Sequence, residues 1–274
     1  MNNKYSREYS YIGDVMNIGD LVTRDSYDND LVFTIIDIEG ETCYLKGINV
    51  RLYADSSIKD LKKYEEEEDI ELEREFQEKI KEETEIERDE YFYLPGKILH
   101  IDGDKDYLNR CLKYYDDMNI AALGINEKED AVAPKIVKLL EEYKPNILVI
   151  TGHDAYYKRK GNVNDIKAYK NSYNFAEAIK AARAHEDSHT KLIIIAGACQ
   201  SNYEELIKAG ANFASSPRRI NIHALDPAII ASKMSLSDIN KDIDLKGIIE
   251  NTKYGSHGVG GIITKGTMYI GYPR

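Results

Sequence analysis

Two residues that together could form a nucleophile and its base stand at equivalent places in the sequence. Cys199 follows an apolar run at residues 192–195 (LIII), and His153 follows a second run at residues 146–151 (NILVIT). Short runs rich in β-branched residues are typical of buried parallel strands, and ligands bind at the carboxyl edge of an open α/β sheet. If the two strands are neighbours, the two side chains share one edge. The spacing therefore predicts a thiolate–imidazolium dyad.

The residues around Cys199 favour this interpretation. Ser201 or Asn202 is expected to cap a helix that begins near Tyr203, and a helix N-terminus favours a thiolate. The separation of 199 − 153 = 46 residues leaves room for one crossover loop and a helix at residues 174–184. An alternative stays open, because a lone cysteine among small apolar residues is more often a packing residue. His223 is a second candidate for the base.

Length and cysteine content limit the class of protein. A chain of 274 residues can form one large domain with a smaller module attached. Its three cysteines, Cys43, Cys111 and Cys199, are odd in number and widely spaced, which favours a reducing compartment over disulfides or a zinc site. The polar start MNNKYSREYS is unlike a secretory signal, and no apolar run reaches the roughly 20 residues of a membrane helix. We expect a cytoplasmic protein that needs no cofactor or metal.

The acidic charge is confined to one segment. Residues 65–90 contain fifteen acids and four bases, so this stretch alone carries 4 − 15 = −11, the net charge of the whole chain. The remaining residues hold 33 acids and 33 bases. Since nucleic-acid binding depends on a basic surface, the composition argues against a nucleic-acid partner.

The pattern divides the chain into three parts. Residues 1–60 contain several short strands with Gly and Asp turns and are predicted to form a small SH3-like β-barrel module, which either binds a partner or serves as a scaffold. Residues 61–90 are predicted to form an acidic helical linker with a thin apolar stripe at Leu72, Phe76 and Ile80. The alternative for this linker is that it covers a cleft specific for basic residues until it is cut or displaced.

From residue 91 to 274 the pattern alternates between strands and helices. This alternation predicts an α/β domain with a doubly wound, mostly parallel sheet, and we expect it to fold without the front module. Residues 131–143 are expected to be one helix, with Pro134 near its start. The last residues, GGIITKGTMYIGY, are expected to form a hairpin that turns at Lys265 and Gly266.

A second chemistry could be centred on Asp102 and Asp104, which follow a predicted strand. Carboxylates at that position could hold Mg²⁺ for phosphoryl transfer or a receiver-like function, although Asp-Gly after a strand is first of all a turn. The glycines near His257 match neither phosphate-binding pattern. A non-catalytic coat or scaffold protein that binds through its front module is a third possibility.

Two resemblances favour the peptidase. A strand ending in TGHD at residues 151–154, followed by GACQS at residues 197–201, resembles caspase-like cysteine peptidases, although Asp154 replaces their usual Gly after the histidine. The front module, the acidic connector, ITGHDAYYK, AGACQSNYEELIKAGANFASSPRRINIHALDP and YGSHGVGGI together resemble the YabG family of sporulation-specific cysteine peptidases. That resemblance implies cleavage after basic residues in spore coat and related spore proteins, with the dyad on Cys199 and His153.

The peptidase interpretation assigns further roles. Backbone amides of Cys199 and Asp154 are the expected oxyanion donors, and no residue is assigned to orient the imidazole. Because the resemblance implies a basic P1 residue, a carboxylate near the dyad should bind it, and Asp154, Asp165 and Asp226 are the candidates. Protein substrates are the expected partners. The chain itself is a possible substrate at Arg74 and Arg88 of the linker.

Overall fold

The computed structural model describes residues 16–64, 78 and 91–272. The chain divides into two compact units. The first comprises residues 1–48 and 53–66, and the second comprises residues 49–52 and 67–274. Four residues of the front part of the sequence, Asn49–Leu52, therefore belong to the second unit. The predicted apolar stripe at Leu72, Phe76 and Ile80 lies outside the described residues.

The first unit is built on a five-stranded antiparallel sheet in the order β4-β3-β2-β1-β5. Alternating side chains of its strands are buried, among them Val22, Phe33, Ile35, Cys43 and Leu45. This alternation is what a sheet with one apolar face requires. The strands are β1 Leu21–Arg24, β2 Phe33–Glu39, β3 Thr42–Gly47, β4 Tyr53–Ser57 and β5 Leu61–Lys63.

The described part of the second unit alternates strands with helices. Its strands are β6 Phe92–Leu94, β7 Ile98–Asp102, β8 Ala122–Asn126, β9 Ile147–Thr151, β10 Ile193–Ala196, β11 Phe213–Ser215, β12 Val259–Gly261 and β13 Tyr269–Gly271. Its helices are α1 Lys105–Asp117, α2 Glu129–Val132, α3 Ile136–Tyr143, α4 Ser172–His185, α5 Tyr203–Ala209, α6 Asp226–Ser235 and α7 Leu245–Glu250.

Six of these strands form one sheet in the order β12-β11-β10-β9-β7-β8. The five strands from β8 to β11 run parallel, and β12 joins β11 antiparallel. The mixed α/β class with a parallel sheet is thereby confirmed. The chain order reverses between β7 and β9, and the carboxyl ends of strands at such a switch point are where ligands bind in open α/β sheets.

Apolar side chains cover both faces of this sheet. Ile147 and Val149 of β9 pack in one cluster with residues of α1 and α6, whereas Leu148 and Ile150 pack in a second cluster with residues of α3 and α4. Since successive side chains of a strand point to opposite faces, helices lie on both sides. The central strands are therefore buried throughout, which accounts for their continuous apolar sequence.

Two local predictions were wrong. The single helix expected at residues 131–143 is split into α2 and α3 around Pro134, whose ring blocks a continuous helix because it has no N–H and clashes with the preceding turn. The C-terminal hairpin does not form, because β12 pairs with β11 and β13 pairs with β6. Both final strands thus find partners far away in the sequence.

Candidate active site

Three chemically functional residues follow three neighbouring strands at the same level. In the parallel register, Ile101 of β7 lies opposite Ile150 of β9, and Ile150 lies opposite Ala196 of β10. Asp104, His153 and Cys199 each come three residues after this row. The carboxyl ends of parallel strands meet at one edge of the sheet. The topology therefore brings a carboxylate, an imidazole and a thiol to the same edge, in that order.

The imidazole of His153 lies against the carboxylate of Asp104. His153 Nε2 is 3.1 Å from Asp104 Oδ2, and the side chains are 13% and 5% exposed. The ring of Tyr107 packs beside the imidazole, with 5.8 Å between centroids. A carboxylate on one ring nitrogen holds an imidazole in a fixed orientation. Asp104 thus lies where a residue that orients the imidazole would lie, a role to which the sequence analysis assigned no residue.

Hydrogen bonds to backbone groups hold both Asp104 and His153 in place. The other carboxylate oxygen of Asp104 caps α1 by accepting the amides of Asp106 and Tyr107, at 2.9 and 3.3 Å. The backbone N–H of His153 donates to Glu129 at 2.8 Å, and its carbonyl accepts from Asn171 at 2.8 Å. A capping carboxylate has little rotational freedom. The geometry of the pair is therefore set before any ligand arrives.

Cys199 is fully buried. The backbone N–H of Ile222 donates to its Sγ at 3.3 Å, and the sulfur lies 3.8 Å from the carbonyl oxygen of the same residue. Burial raises the pKa of the Cys199 thiol to about 11, although the Ile222 amide acts in the opposite direction. In this conformation Cys199 is a protonated thiol at neutral pH, and its sulfur lies against the backbone of Ile222.

The turn that presents Cys199 depends on unusual backbone angles. Gly197 has φ +106°, and Gln200 has φ +59°. A Cβ on Gly197 would come within 2.9 Å of Leu206 Cδ1 and 3.3 Å of the Ser215 amide nitrogen, so only glycine fits. After the turn, Asn202 caps α5 by accepting the amide of Glu205 at 3.3 Å, as the sequence predicted.

Asp154 occupies a different kind of position from the one expected of a substrate ligand. It is 4% exposed. Its Oδ1 accepts the backbone amides of Ala155 and Asn171 at 2.9 and 2.7 Å, while its Oδ2 accepts the hydroxyls of Ser172 and Ser201. Burial raises the pKa of this carboxyl. Asp154 thereby joins the loop that follows His153 to the turn that follows Cys199.

The other predicted site residues are dispersed. Asp226 is fully buried, accepts the backbone amides of His223 and Lys253, each at 2.9 Å, and has its pKa raised by burial. His223 is buried as well, and its Nδ1 accepts the amide of Leu225 at 3.1 Å. Asp165 is exposed and accepts the amide of Lys167 at 2.9 Å. Of the three predicted substrate-binding carboxylates, Asp165 alone is open to solvent.

A buried ion pair lies at the end of β7. Arg51 and Asp102 are both fully buried; Nη1 of Arg51 donates to Asp102, and its Nη2 donates to the Ala224 carbonyl at 2.8 Å and lies 3.5 Å from Cys111 Sγ. Burial alone would raise the pKa of Asp102, but Arg51 holds it well below its usual range. This pairing could not be predicted from the sequence, because Arg51 lies 51 positions before Asp102 and no motif connects the two residues.

The same carboxylate organises a chain of hydrogen bonds. Thr151 donates its hydroxyl to Asp102 at 2.8 Å, and His100 Nε2 lies 2.9 Å from the same oxygen of Thr151. The hydroxyl of Tyr115 lies 2.9 Å from His100 Nδ1. Because the Thr151 proton goes to Asp102, its oxygen accepts from Nε2–H, and Nδ1 accepts from Tyr115. Burial lowers the pKa of His100, which keeps this imidazole neutral.

These contacts bear on the alternative of a magnesium site at Asp102 and Asp104. Asp102 already accepts from Arg51 and Thr151 through one oxygen and from the amide of Asp104 through the other. Within the described ranges, no three or more His, Cys, Asp and Glu side chains are grouped as metal ligands. Of the helices in these ranges, none is both long enough and apolar enough to cross a membrane.

Comparison with known proteins identifies the family. The family model for YabG peptidase U57 matches residues 17–273. The chain belongs to the YabG peptidase family. It is 42% identical to the sporulation-specific protease YabG of Bacillus subtilis (strain 168) over 282 aligned positions, which cover 93% of this chain and 97% of the relative. The expectation of a peptidase is thus confirmed, and protein substrates follow from it. This membership, with the relative, supports a protease role in sporulation and favours the peptidase over the scaffold interpretation.

Proposed function

We propose that this member of the YabG family is a cysteine endopeptidase in which Cys199 is the nucleophile and His153 the general base and acid. The observation that carries the proposal is the row of Asp104, His153 and Cys199 at the ends of β7, β9 and β10, with the Asp104 carboxylate 3.1 Å from the His153 ring. Carboxylate, imidazole and nucleophile in this order are the parts needed for acyl transfer.

In the proposed reaction His153 first accepts the proton of the Cys199 thiol. The thiolate attacks the scissile carbonyl carbon, a C–S bond forms, and the resulting oxyanion collapses with loss of the C–N bond. The imidazolium gives its proton to the leaving amine. Water then attacks the thioester while His153 removes its proton, which releases the acid product and restores the thiol. Asp104 stabilises the imidazolium present between these steps.

The two ring nitrogens of His153 have different roles in the proposed reaction. Nε2 stays with Asp104, so Nδ1 exchanges protons with sulfur and with the leaving group. The backbone amides of Cys199 and Asp154 are proposed as oxyanion donors, and each donor of this kind typically contributes about 3 kcal/mol to transition-state stabilisation. Asp154 supports this arrangement through its four accepted hydrogen bonds.

The buried state of Cys199 is proposed to be a resting state. A thiol with a pKa near 11 forms little thiolate at pH 7, and the Ile222 backbone occupies the space beside the sulfur. A substrate carbonyl can reach Sγ only after residues 220–222 move away. Water entering with the substrate would then stabilise the thiolate, since the raised pKa is caused by burial.

We propose that the substrates carry a basic P1 residue, with Arg preferred to Lys, and that they are spore coat and related spore proteins. The relative is a sporulation-specific protease. A planar guanidinium can pair with a carboxylate through two hydrogen bonds, which an ammonium group cannot. Among the predicted carboxylates, exposed Asp165 is the candidate ligand, since both oxygens of Asp154 and of Asp226 accept backbone or side-chain donors.

The remaining parts of the proposal concern fold type and location. The five parallel strands with one antiparallel edge strand support a caspase-like sheet, and the first unit is proposed to be an SH3-like partner-binding module. We propose that the enzyme acts in the cytoplasm of the mother cell or at the forming spore coat. Self-cleavage at Arg74 and Arg88 remains a proposal about residues outside those that the structure describes.

The test is peptide cleavage by purified variants. Cys199→Ala and His153→Ala should each abolish cleavage of a peptide set with varied P1 residues, while circular dichroism shows a folded protein. Cys43→Ala is the matched control, because Cys43 is a buried cysteine of the first unit, and it should retain cleavage. Full activity in Cys199→Ala would overturn the assignment. A preference for acidic or aromatic P1 residues would overturn the proposed specificity alone.

A further inference from the structure

The guanidinium of Arg219 sits among acceptors suited to an arginine side chain. Its Nε donates to the Tyr169 hydroxyl at 2.8 Å, and its Nη2 donates to the Glu204 carboxylate and lies 3.5 Å from Asn202 Oδ1. Nη1 approaches the carbonyl oxygens of Ser216 and Pro217, at 3.3 and 3.4 Å. The Arg219 side chain is 15% exposed, whereas that of its partner Glu204 is 52% exposed.

The acceptors from outside the Arg219 loop belong to the segments that carry the proposed catalytic residues. Tyr169 lies in the loop between His153 and α4, and its ring centroid is 5.8 Å from the guanidinium carbon of Arg219. Asn202 and Glu204 follow Cys199 at the start of α5. A carboxylate, a neutral acceptor and an aromatic ring are the groups that proteins use to recognise guanidinium. These three residues, Tyr169, Asn202 and Glu204, are named here the guanidinium site.

The loop that carries Arg219 continues into the backbone that contacts the nucleophile. The Ile220 carbonyl accepts the amide of Gln200 at 3.0 Å, and Ile222 contacts Cys199 Sγ through its backbone. Ser216 and Arg219 have φ of +66° and +57°, a left-handed conformation that is disfavoured for residues with a Cβ. The same short loop thus places the Arg219 side chain in the guanidinium site and the Ile222 backbone beside the Cys199 sulfur.

We propose that the guanidinium site is the subsite for the basic P1 residue of the substrate, and that Arg219 occupies it in the resting enzyme as an internal substitute. A substrate arginine displaces Arg219, which releases residues 216–222 and uncovers Cys199. This inference rests on the proposed cysteine peptidase function and its preference for basic residues. In this proposal the carboxylate that pairs with the basic P1 side chain is that of Glu204 rather than that of Asp165.

The arrangement couples recognition to activation. The Glu204 carboxylate can pair with Arg219 or with a substrate arginine, and it cannot serve both fully, since each needs the same oxygens. Peptides without a basic residue cannot compete for the site, so the loop stays over Cys199. Specificity then comes from opening the enzyme as well as from binding.

The first experiment measures access to Cys199 without any substrate. Arg219→Ala should increase the rate at which iodoacetamide alkylates Cys199 by at least tenfold over wild type. The rate is measured by peptide mass mapping. Arg218→Ala is the matched control, because Arg218 is the adjacent arginine and is exposed. If Arg219→Ala does not fold, Tyr169→Phe removes only the hydroxyl acceptor and should also accelerate alkylation. Alkylation no faster than in the control would overturn the closing role.

The second experiment measures the subsite directly. Agmatine, a small guanidinium compound, should bind Arg219→Ala in isothermal titration and should bind the double variant Arg219→Ala/Glu204→Gln at least tenfold more weakly. The control is the double variant Arg219→Ala/Glu205→Gln, because Glu205 lies one residue along α5 and pairs with Lys208, and it should bind agmatine as tightly as Arg219→Ala. Equal agmatine binding with and without the Glu204 carboxylate would overturn the subsite.

Cleavage assays separate failure of this inference from failure of the proposed function. If wild type cleaves after arginine and Glu204→Gln cleaves with the same kcat/KM and the same Arg selectivity as Glu205→Gln, the subsite is wrong and the peptidase assignment stands. If no variant cleaves any peptide but Arg219→Ala binds agmatine through Glu204, the guanidinium site stands and the peptidase assignment fails.

Discussion

Replacing Arg51 by methionine is the most informative test of how the site is supported. The substitution keeps much of the side-chain volume but removes the charge beside Asp102, together with the hydrogen bond to the Ala224 carbonyl. A buried carboxylate without its partner destabilises a protein by about 3–5 kcal/mol. We therefore expect the free energy of unfolding of Arg51→Met at pH 7 to fall by that amount.

The magnitude can be bounded from proton linkage. An unpaired, buried Asp102 can avoid its charge by taking up a proton. For a carboxyl with an unfolded pKa of about 3.9, protonation at pH 7 costs about 4 kcal/mol, at about 1.4 kcal/mol per pH unit. In wild type the folded pKa of Asp102 is lowered, so its contribution to stability is present above the unfolded pKa and is lost as pH falls below it. Between pH 7 and pH 4 the wild-type contribution therefore stays nearly constant, whereas the cost of protonating Asp102 in Arg51→Met falls. The difference in stability between the two proteins should shrink towards pH 4 for this reason.

Urea denaturation followed by circular dichroism at pH 7 and pH 4 checks this expectation. The double variant Arg51→Met/Asp102→Asn should recover part of the loss at pH 7, because a neutral amide does not need the guanidinium. Arg218→Met, at an exposed position, is the control and should stay within about 0.5 kcal/mol of wild type. A loss in Arg51→Met of the same size at both pH values would refute the argument from buried charge.

Three further predictions follow. Asp104→Asn should lower kcat by about 10²–10⁴-fold with little change in KM, because His153 loses the group that orients it; a KM effect alone in steady-state kinetics would contradict this role. Gly197→Ala should lower the free energy of unfolding by more than about 1 kcal/mol, because φ +106° and the close approach of Leu206 exclude a Cβ. Unchanged stability in urea titrations would contradict this expectation. Alkylation of Cys199 in the resting enzyme should accelerate about tenfold per pH unit from pH 7 to 10, as expected for a thiol pKa of about 11, and a plateau near pH 8 would contradict the burial argument.

The sequence predicted the part of the site that depends on strands. Residues 146–151 and 192–195 are apolar, β-branched runs, and such runs form buried parallel strands wherever helices cover both faces. The edge position of His153 and Cys199 follows from that pattern. The cap at Asn202 follows from local hydrogen bonding, which is also encoded within a few residues.

Contacts between distant segments could not be predicted from the sequence in this way. Arg51 reaches Asp102 across 51 positions, and no periodicity or motif connects an isolated arginine with a strand-end aspartate. Asn49–Leu52 group with the second unit, which also contains Asp102, and the expectation that residues 91–274 fold alone stays a prediction. A piece that begins at residue 91 lacks Arg51 and should show the same loss of stability as Arg51→Met.

Asp104 combines a local contact, which a sequence can encode, with a contact to a distant segment, which it does not specify. Asp104 stands directly before α1, where an aspartate side chain can accept the first amides of a helix, and the structure has this cap through Oδ1. The contact of Oδ2 with His153 requires β7 and β9 to be neighbours, which a sequence without pairing information does not specify. Strand order, rather than any property of the residue, turns a capping aspartate into a candidate orienting group.

Covalent labelling tests the central claim most directly. A peptidyl-arginyl acyloxymethyl ketone alkylates an active-site thiolate, and intact mass measurement followed by peptide mapping locates the adduct. The dyad account predicts one adduct per chain, on Cys199, that blocks peptide cleavage and is absent from both Cys199→Ala and His153→Ala. An inactivating adduct on any other residue, or cleavage that survives complete labelling of Cys199, would contradict it.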